Sequence, residues 1–216
     1  MDANPSKFNR CEREVVMKKQ MLSSILILLV FCPQIAFSQA QDYYNSDGWF
    51  SFKVPADWEE IGNMDEVSDK ISAMANRRIN YNAGFKKIDN SIPYMYVQIK
   101  KTGKLSESDI QSILGKSVQN KAFVNANKAI DESNIKNKLS IIANQDPVYF
   151  PARHMAVWTS KIKFGDRDRF QVTCLLFSNY GYVALYFYAA EQNFDDNLNR
   201  FLNLAESFQF DNQFKY

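Results

Sequence analysis

The chain is poor in the residues that most catalytic and cross-linking chemistry requires. It has one histidine, His154, in 216 residues. Any Ser-His-Asp or Cys-His mechanism must therefore use His154, and a zinc site would have only His154 and a cysteine as soft ligands. Zinc takes four such ligands, or three and a water, so this inventory leaves almost no room for it. The seven glycines are scattered, with no G-x-S-x-G elbow, phosphate-binding loop or dinucleotide fingerprint among them. With only six prolines as well, no Gly- or Pro-rich linker divides the region after residue 40. That region contains no internal repeat and reads as a single domain over 41–216. Charge of one sign is also lacking. Residues 1–40 contain five basic and three acidic side chains, which leaves 21 of each sign in 41–216. No global field there favours nucleic acid or an anionic membrane.

The first forty residues read as a targeting segment. Met17-Lys18-Lys19 is a positive start, Leu22 to Phe31 is apolar apart from Ser23 and Ser24, and Pro33 ends the run. Ser38-Gln39-Ala40 places small residues at a cleavage position. The run is far short of the roughly 20 residues a membrane-spanning helix needs. The expectation is a secretory signal cleaved after Ala40, with translation starting at Met17 and export to the periplasm or beyond the cell. Phe31 before Cys32 is a poor lipobox, so lipid anchoring is not expected. Cleavage would remove Cys11 and Cys32 and leave Cys174 alone, within the apolar "FQVTCLLF". A lone cysteine cannot staple a domain, so burial must hold it together.

The last third carries the clearest pattern. Val157 to Phe164 alternates, with Trp158, Ile162 and Phe164 on one parity and Lys161 and Lys163 on the other, as a half-buried strand does. "GDRD" (165–168) and "SNYG" (178–181) are turns, so 157–164, 170–177 and 182–189 form an antiparallel meander. The second and third strands are apolar on both parities and must be covered on both faces. Phe194, Leu198, Phe201, Leu202, Ala205 and Phe208 form one helical stripe behind an Asn193 cap, with Asp195 and Asp196 in its first turn. A second helix begins at the capping box of Ser106, with Ile110, Ile113, Leu114 and Val118 as its stripe. A third spans about 64–76 on Val67, Ile71 and Met74. Further strands are expected at Tyr81–Phe85, Tyr94–Gln98 and Leu139–Ile142. The fold class is α+β: an antiparallel β-sheet covered by helices on both faces, a three-layer α/β/α sandwich.

Both ends of this region resemble the PsbP-like family, named for an extrinsic photosystem II subunit and including secreted bacterial proteins outside photosynthesis. Gly48-Trp-Phe-Ser-Phe-Lys-Val-Pro-Ala-Asp-Trp58 is similar to that family's first hairpin, and Phe201-Leu-Asn-Leu-Ala-Glu-Ser-Phe-Gln-Phe210 to its last helix and closing strand. The resemblance implies the sandwiched sheet, docking to partners and generally no catalysis. Residues specific to photosystem binding are not matched.

Several constellations have bland explanations. "DRD" (166–168) suits a hairpin tip, and Asp195-Asp196 the positive end of a helix. Neither has the spacing of a calcium loop. Arg77-Arg78, Lys86-Lys87, Lys100-Lys101 and Lys104 lie among tyrosines and read as a solvated strand face, with a local patch for an anionic glycan, lipid headgroup or partner protein as the alternative. Tyr180, Tyr182, Tyr186 and Tyr188 read as core and helix–sheet interface rather than a ligand pocket. Phe50 and Phe52 share the inner face of the first strand, and with Trp58 are expected to pack on the covering helices. Trp49 falls on the outer face. Trp49, Arg153 and His154 are the candidate binding residues. No catalytic residue, metal ligand or cofactor site is expected. The leading function is a non-catalytic binding or adaptor module of the cell envelope, with another envelope protein or a small ligand as partner and no nucleic acid. A small-ligand or lipid carrier with an aromatic pocket is the alternative, and a carboxylate-based hydrolase the third reading.

Overall fold

A computed structural model describes residues 40–116, 139–164 and 167–216. The signal-like segment before Ala40, with Cys11 and Cys32, lies outside the described residues. So do Val118 and the Gly165-Asp166 hairpin tip.

Eleven strands form two antiparallel sheets among the described residues. The large sheet contains β3 (Trp58–Glu60), β4 (Ala83–Lys87), β5 (Tyr94–Lys100), β6 (Leu139–Asn144), β7 (Val148–Phe150), β8 (Met155–Phe164), β9 (Arg167–Ser178) and β10 (Gly181–Ala190). Its order is β3-β4-β5-β10-β9-β8-β6, and β7 also pairs with β8. The small sheet is β1 (Gln41–Asn45), β2 (Phe50–Val54) and β11 (Gln209–Phe210), in the order β1-β2-β11. The expected meander is present as β8, β9 and β10. At its second turn Ser178 faces Gly181 across the ladder. Gly181 has φ +149°, and a Cβ there would lie 1.9 Å from the Lys100 carbonyl oxygen, so the close approach of β5 requires glycine.

Three helices lie among the described residues. In α1 (Met64–Ala75) the Asn63 side chain accepts from Glu66 N at 3.2 Å. The second, α2, covers 107–116. Its capping box is reciprocal: Ser106 N donates to Asp109 Oδ2 at 2.9 Å, and Asp109 N donates to Ser106 Oγ at 3.2 Å. The third, α3 (Phe194–Glu206), begins differently from expectation. The Asn193 side chain makes no capping bond, because a 3-10 turn over Glu191–Asn193 leads into the helix. Asp195 and Asp196 do occupy its first turn.

Register places the side chains of the large sheet on two faces. One carries Phe85, Met95, Val97, Val172, Cys174, Leu185 and Phe187, all essentially inaccessible. Phe201 of α3 stacks on Phe187 at 4.8 Å, and Trp58 lies parallel to the same ring at 6.0 Å. Phe52 of the small sheet meets Phe85 edge-on at 5.4 Å. The cover on this face is therefore α3 together with the small sheet. Accordingly Phe50 and Phe52 pack mainly on Phe208, Tyr43 and Phe85, and less on a helix than their pattern predicts. On the opposite face, Ile110 and Leu114 of α2 pack on Ala156, Leu175, Phe177 and Ala184. The start of α1 rests on the bare backbone of Gly84, where a Cβ would approach Met64 Sδ to 2.7 Å.

Candidate functional site

Two side-chain assemblies stand out: a corner where aromatic rings meet lysines, and a tyrosine layer on the α2 face of the sheet.

The corner gathers four chain segments that sequence distance keeps apart. The β1–β2 turn ends at Trp49, which has φ +51°. Alternation along an extended strand would put Trp49 on the outer face of β2. It lies instead in the turn, in a left-handed conformation, so strand parity does not apply to it. Its carbonyl accepts from Asp211 N at 2.9 Å, which brings the C-terminal tail alongside. Phe214 of that tail stacks on Trp49 at 4.1 Å, and Tyr180 of the β9–β10 turn meets Trp49 edge-on at 4.4 Å. Asn179 holds the tail from the turn, donating its backbone N to Phe214 O and its Nδ2 to Gln213 O. The loop after β5 is tied in by Gly103 N donating to Tyr180 O at 2.8 Å. Tyr216 Oη donates to the Leu105 carbonyl.

Lysines rim these rings. Lys101 Nζ lies 5.4 Å from the Trp49 ring centre and 5.6 Å from that of Tyr180. Lys104 Nζ lies 4.8 Å above Tyr216. These are cation–π distances. Lys100, Lys101, Lys104 and Lys215 form no ion pair among the described residues, whereas Lys86 pairs with Glu59 and Lys87 with Asp89.

His154 joins the corner from the opposite flank. It has φ +46°, and its ring stacks on Tyr216 at 4.1 Å. Its Nδ1 is buried without a hydrogen-bond partner among the described residues. Arg153 turns elsewhere: its Nη1 lies 3.4 Å from Glu206 at the end of α3. The structure thus brings Trp49 and His154 to one tail, on Phe214 and Tyr216, and sets Arg153 apart. Sequence reasoning missed Phe214 and Tyr216. Their only signal was aromatic alternation in the last three residues, Phe214-Lys215-Tyr216.

The tyrosine layer consists of Tyr81, Tyr94, Tyr96, Tyr186 and Tyr188. Tyr81 stacks on Tyr96 at 4.7 Å and Tyr94 on Tyr188 at 5.0 Å; Tyr186 meets Tyr81 edge-on at 5.8 Å. Tyr186 Oη donates to Gln98 Oε1 at 3.3 Å. Burial is the main cause of raised phenol pKa values throughout the layer, with Tyr94 pushed up to about 12 despite the nearby Arg169 cation. These phenols stay neutral donors at physiological pH. Burial likewise pushes the Cys174 thiol up, which makes it a packing residue and a poor nucleophile. No group of three or more His, Cys, Asp or Glu side chains able to hold a metal occurs among the described residues. Nor is any helix among them long and apolar enough to cross a membrane.

This arrangement defines a class: an α+β protein with extensive antiparallel sheet and, among the described residues, three helices. The particular fold is PsbP-like. The solution structure of cyanobacterial PsbP (CyanoP) from Synechocystis sp. PCC 6803 superimposes with a TM-score of 0.52, covering 84% of this chain and 98% of that one. The two are 14% identical, so the likeness concerns the fold alone. No family model matches the chain. No curated protein matches it either.

Proposed function

We propose that residues 41–216 form a non-catalytic binding or adaptor module of the cell envelope, a three-layer sandwich exported by the segment before Gln41. The observation that carries this reading is the corner. Three separate segments place Trp49, Tyr180 and Phe214 against one another, and the loop after β5 rims these rings and Tyr216 with lysines that pair with no carboxylate among the described residues. Unpaired charge beside half-buried aromatic rings is the composition of a recognition surface. The PsbP-like fold agrees with it, since a fold of this kind offers an interaction surface without a preset reaction. The test is crosslinking of the chain in its native envelope. Partners captured by the wild type should be lost in the Lys101→Ala/Lys104→Ala variant. Capture that is the same in the wild type and the double variant would overturn the reading.

The tyrosine layer favours a second reading, a carrier for a small aromatic-stacking ligand. Tyr94 and Tyr96 are half-buried, and their hydroxyls bond no described residue. Solvent extraction of the native protein followed by mass spectrometry tests it: a stoichiometric small molecule supports the carrier, and its absence refutes it.

A further inference from the structure

We propose that the partner of the aromatic–lysine corner is an anionic phospholipid surface. This rests on the binding-module reading and names what the module binds.

Charge comes first. The region 41–216 is neutral as a whole, but the corner is locally uneven. Lys101, Lys104 and Lys215 are exposed, Lys100 is half-buried, and none pairs with a carboxylate among the described residues. Of the neighbouring acids, Glu206 pairs with Arg153, while Asp211 and Glu107 face the neutral phenols of Tyr44 and Tyr149 and keep their charge. With exposed Asp47 in the turn beside Trp49, three carboxylates stand against four lysines, a small local excess of positive charge.

The kind of cation discriminates between partners. Arginine's rigid fork is the group that recognises a fixed carboxylate on a protein surface. All four cations here are lysines, flexible point charges suited to a diffuse layer of headgroup phosphates. The rings discriminate further. Trp and Tyr have an apolar body and a polar edge and settle at the headgroup level of a bilayer. In this corner Lys101 is held over Trp49 and Tyr180, and Lys104 over Tyr216, so charge and aromatic edge are presented together. Geometry supplies the last element. The end of β5, the β9–β10 turn, the β1–β2 turn and the tail meet at one end of the sheet, where they can approach a surface together.

The experiment is vesicle flotation of the full chain. The probes are phosphatidylcholine vesicles with and without phosphatidylglycerol. Any contribution from residues 1–40 is common to every variant, so differences between variants report the corner. The wild type should favour the anionic vesicles, and added salt should weaken that preference. Each lysine near an anionic leaflet is worth about fivefold in partition, so Lys101→Ala/Lys104→Ala should weaken binding about twenty-five-fold. Lys215→Ala, at an exposed position whose side chain makes no hydrogen bond or ion pair with a described residue, should cost a further fivefold or so without affecting folding. Equal partition of wild type and double variant overturns the proposal, as does equal partition onto phosphatidylcholine alone. Displacement by inorganic phosphate, at an ionic strength where chloride has no effect, would assign the corner to free phosphate and also overturn it. A protein crosslink lost in the double variant while flotation is unchanged overturns the lipid partner but leaves the binding-module reading standing. If neither assay responds to the double variant, both fall.

Discussion

Replacing Trp58 by Ala and, separately, by Phe separates the two things this side chain does in the core. Trp58 is 3% exposed and lies parallel to Phe187, with an interplanar angle of 4°. Phe187 also contacts Phe201 of α3, so ring contacts run from β3 through β10 to the last helix. Truncation to Ala removes the buried area and leaves a cavity, at about 3–5 kcal/mol. For a domain of this size that is a fall in melting temperature of roughly 6–20 °C. The indole Nε1 complicates the comparison, because it is buried without a hydrogen-bond partner among the described residues. An orphaned donor costs about 1–3 kcal/mol, which the native state already bears. Trp58→Phe keeps a ring on Phe187 and deletes that donor, so part of its lost area is offset. Its expected cost is below about 1.5 kcal/mol, the range of tolerated core exchanges. Urea titration followed by far-UV circular dichroism measures both variants, with an unchanged slope required for the comparison. If Phe costs as much as Ala, the indole N–H is satisfied in solution and the stack is not what holds Trp58.

Two other perturbations test the core and its turn. Gly181→Ala should destabilise by about 1–3 kcal/mol from its backbone conformation, with the clash on the Lys100 carbonyl added; a neutral result by urea titration would mean that β5 and β10 separate here at no cost. The tyrosine layer predicts an alkaline limit to stability. In the folded protein these phenols bind protons more tightly than in the unfolded chain, where they titrate near pH 10, so stability falls as pH rises from about 10 through 12. Phenolate absorbance and loss of circular dichroism should therefore rise together; five tyrosines ionising in a still-folded protein would refute it.

What could be read from the sequence follows from how local each signal is. The meander β8–β9–β10 was visible because alternation and turn residues lie within a few positions of one another. The Ser106 capping box needs four residues, and the α3 stripe little more than three turns. The small sheet was harder. Gln41-Asp-Tyr-Tyr-Asn45 is a polar edge strand with Tyr43 turned towards Phe52 and Phe85, and β11 is too short to have a period. The cover on the Phe187 face therefore read as helix alone. Trp49 was misplaced for a different reason. A left-handed residue at the end of a turn looks, in one dimension, like the first residue of the strand that follows.

The corner lay beyond sequence reading because its residues come from four segments, and the contacts that define it are between segments. Lys101 has no special meaning beside Lys100 and Thr102. It acquires one when Gly103 bonds Tyr180, Asn179 bonds Phe214, and Trp49 turns its ring onto that phenylalanine. Each bond is an ordinary backbone or amide contact worth about 1 kcal/mol. Together they hold the tail where its two rings bridge Trp49 and His154, flanks of the molecule 105 positions apart in sequence. The lysines beside those rings stand at exposed positions, where each keeps its ammonium in water while lying over an aromatic face, so the corner stays charged without giving up its packing.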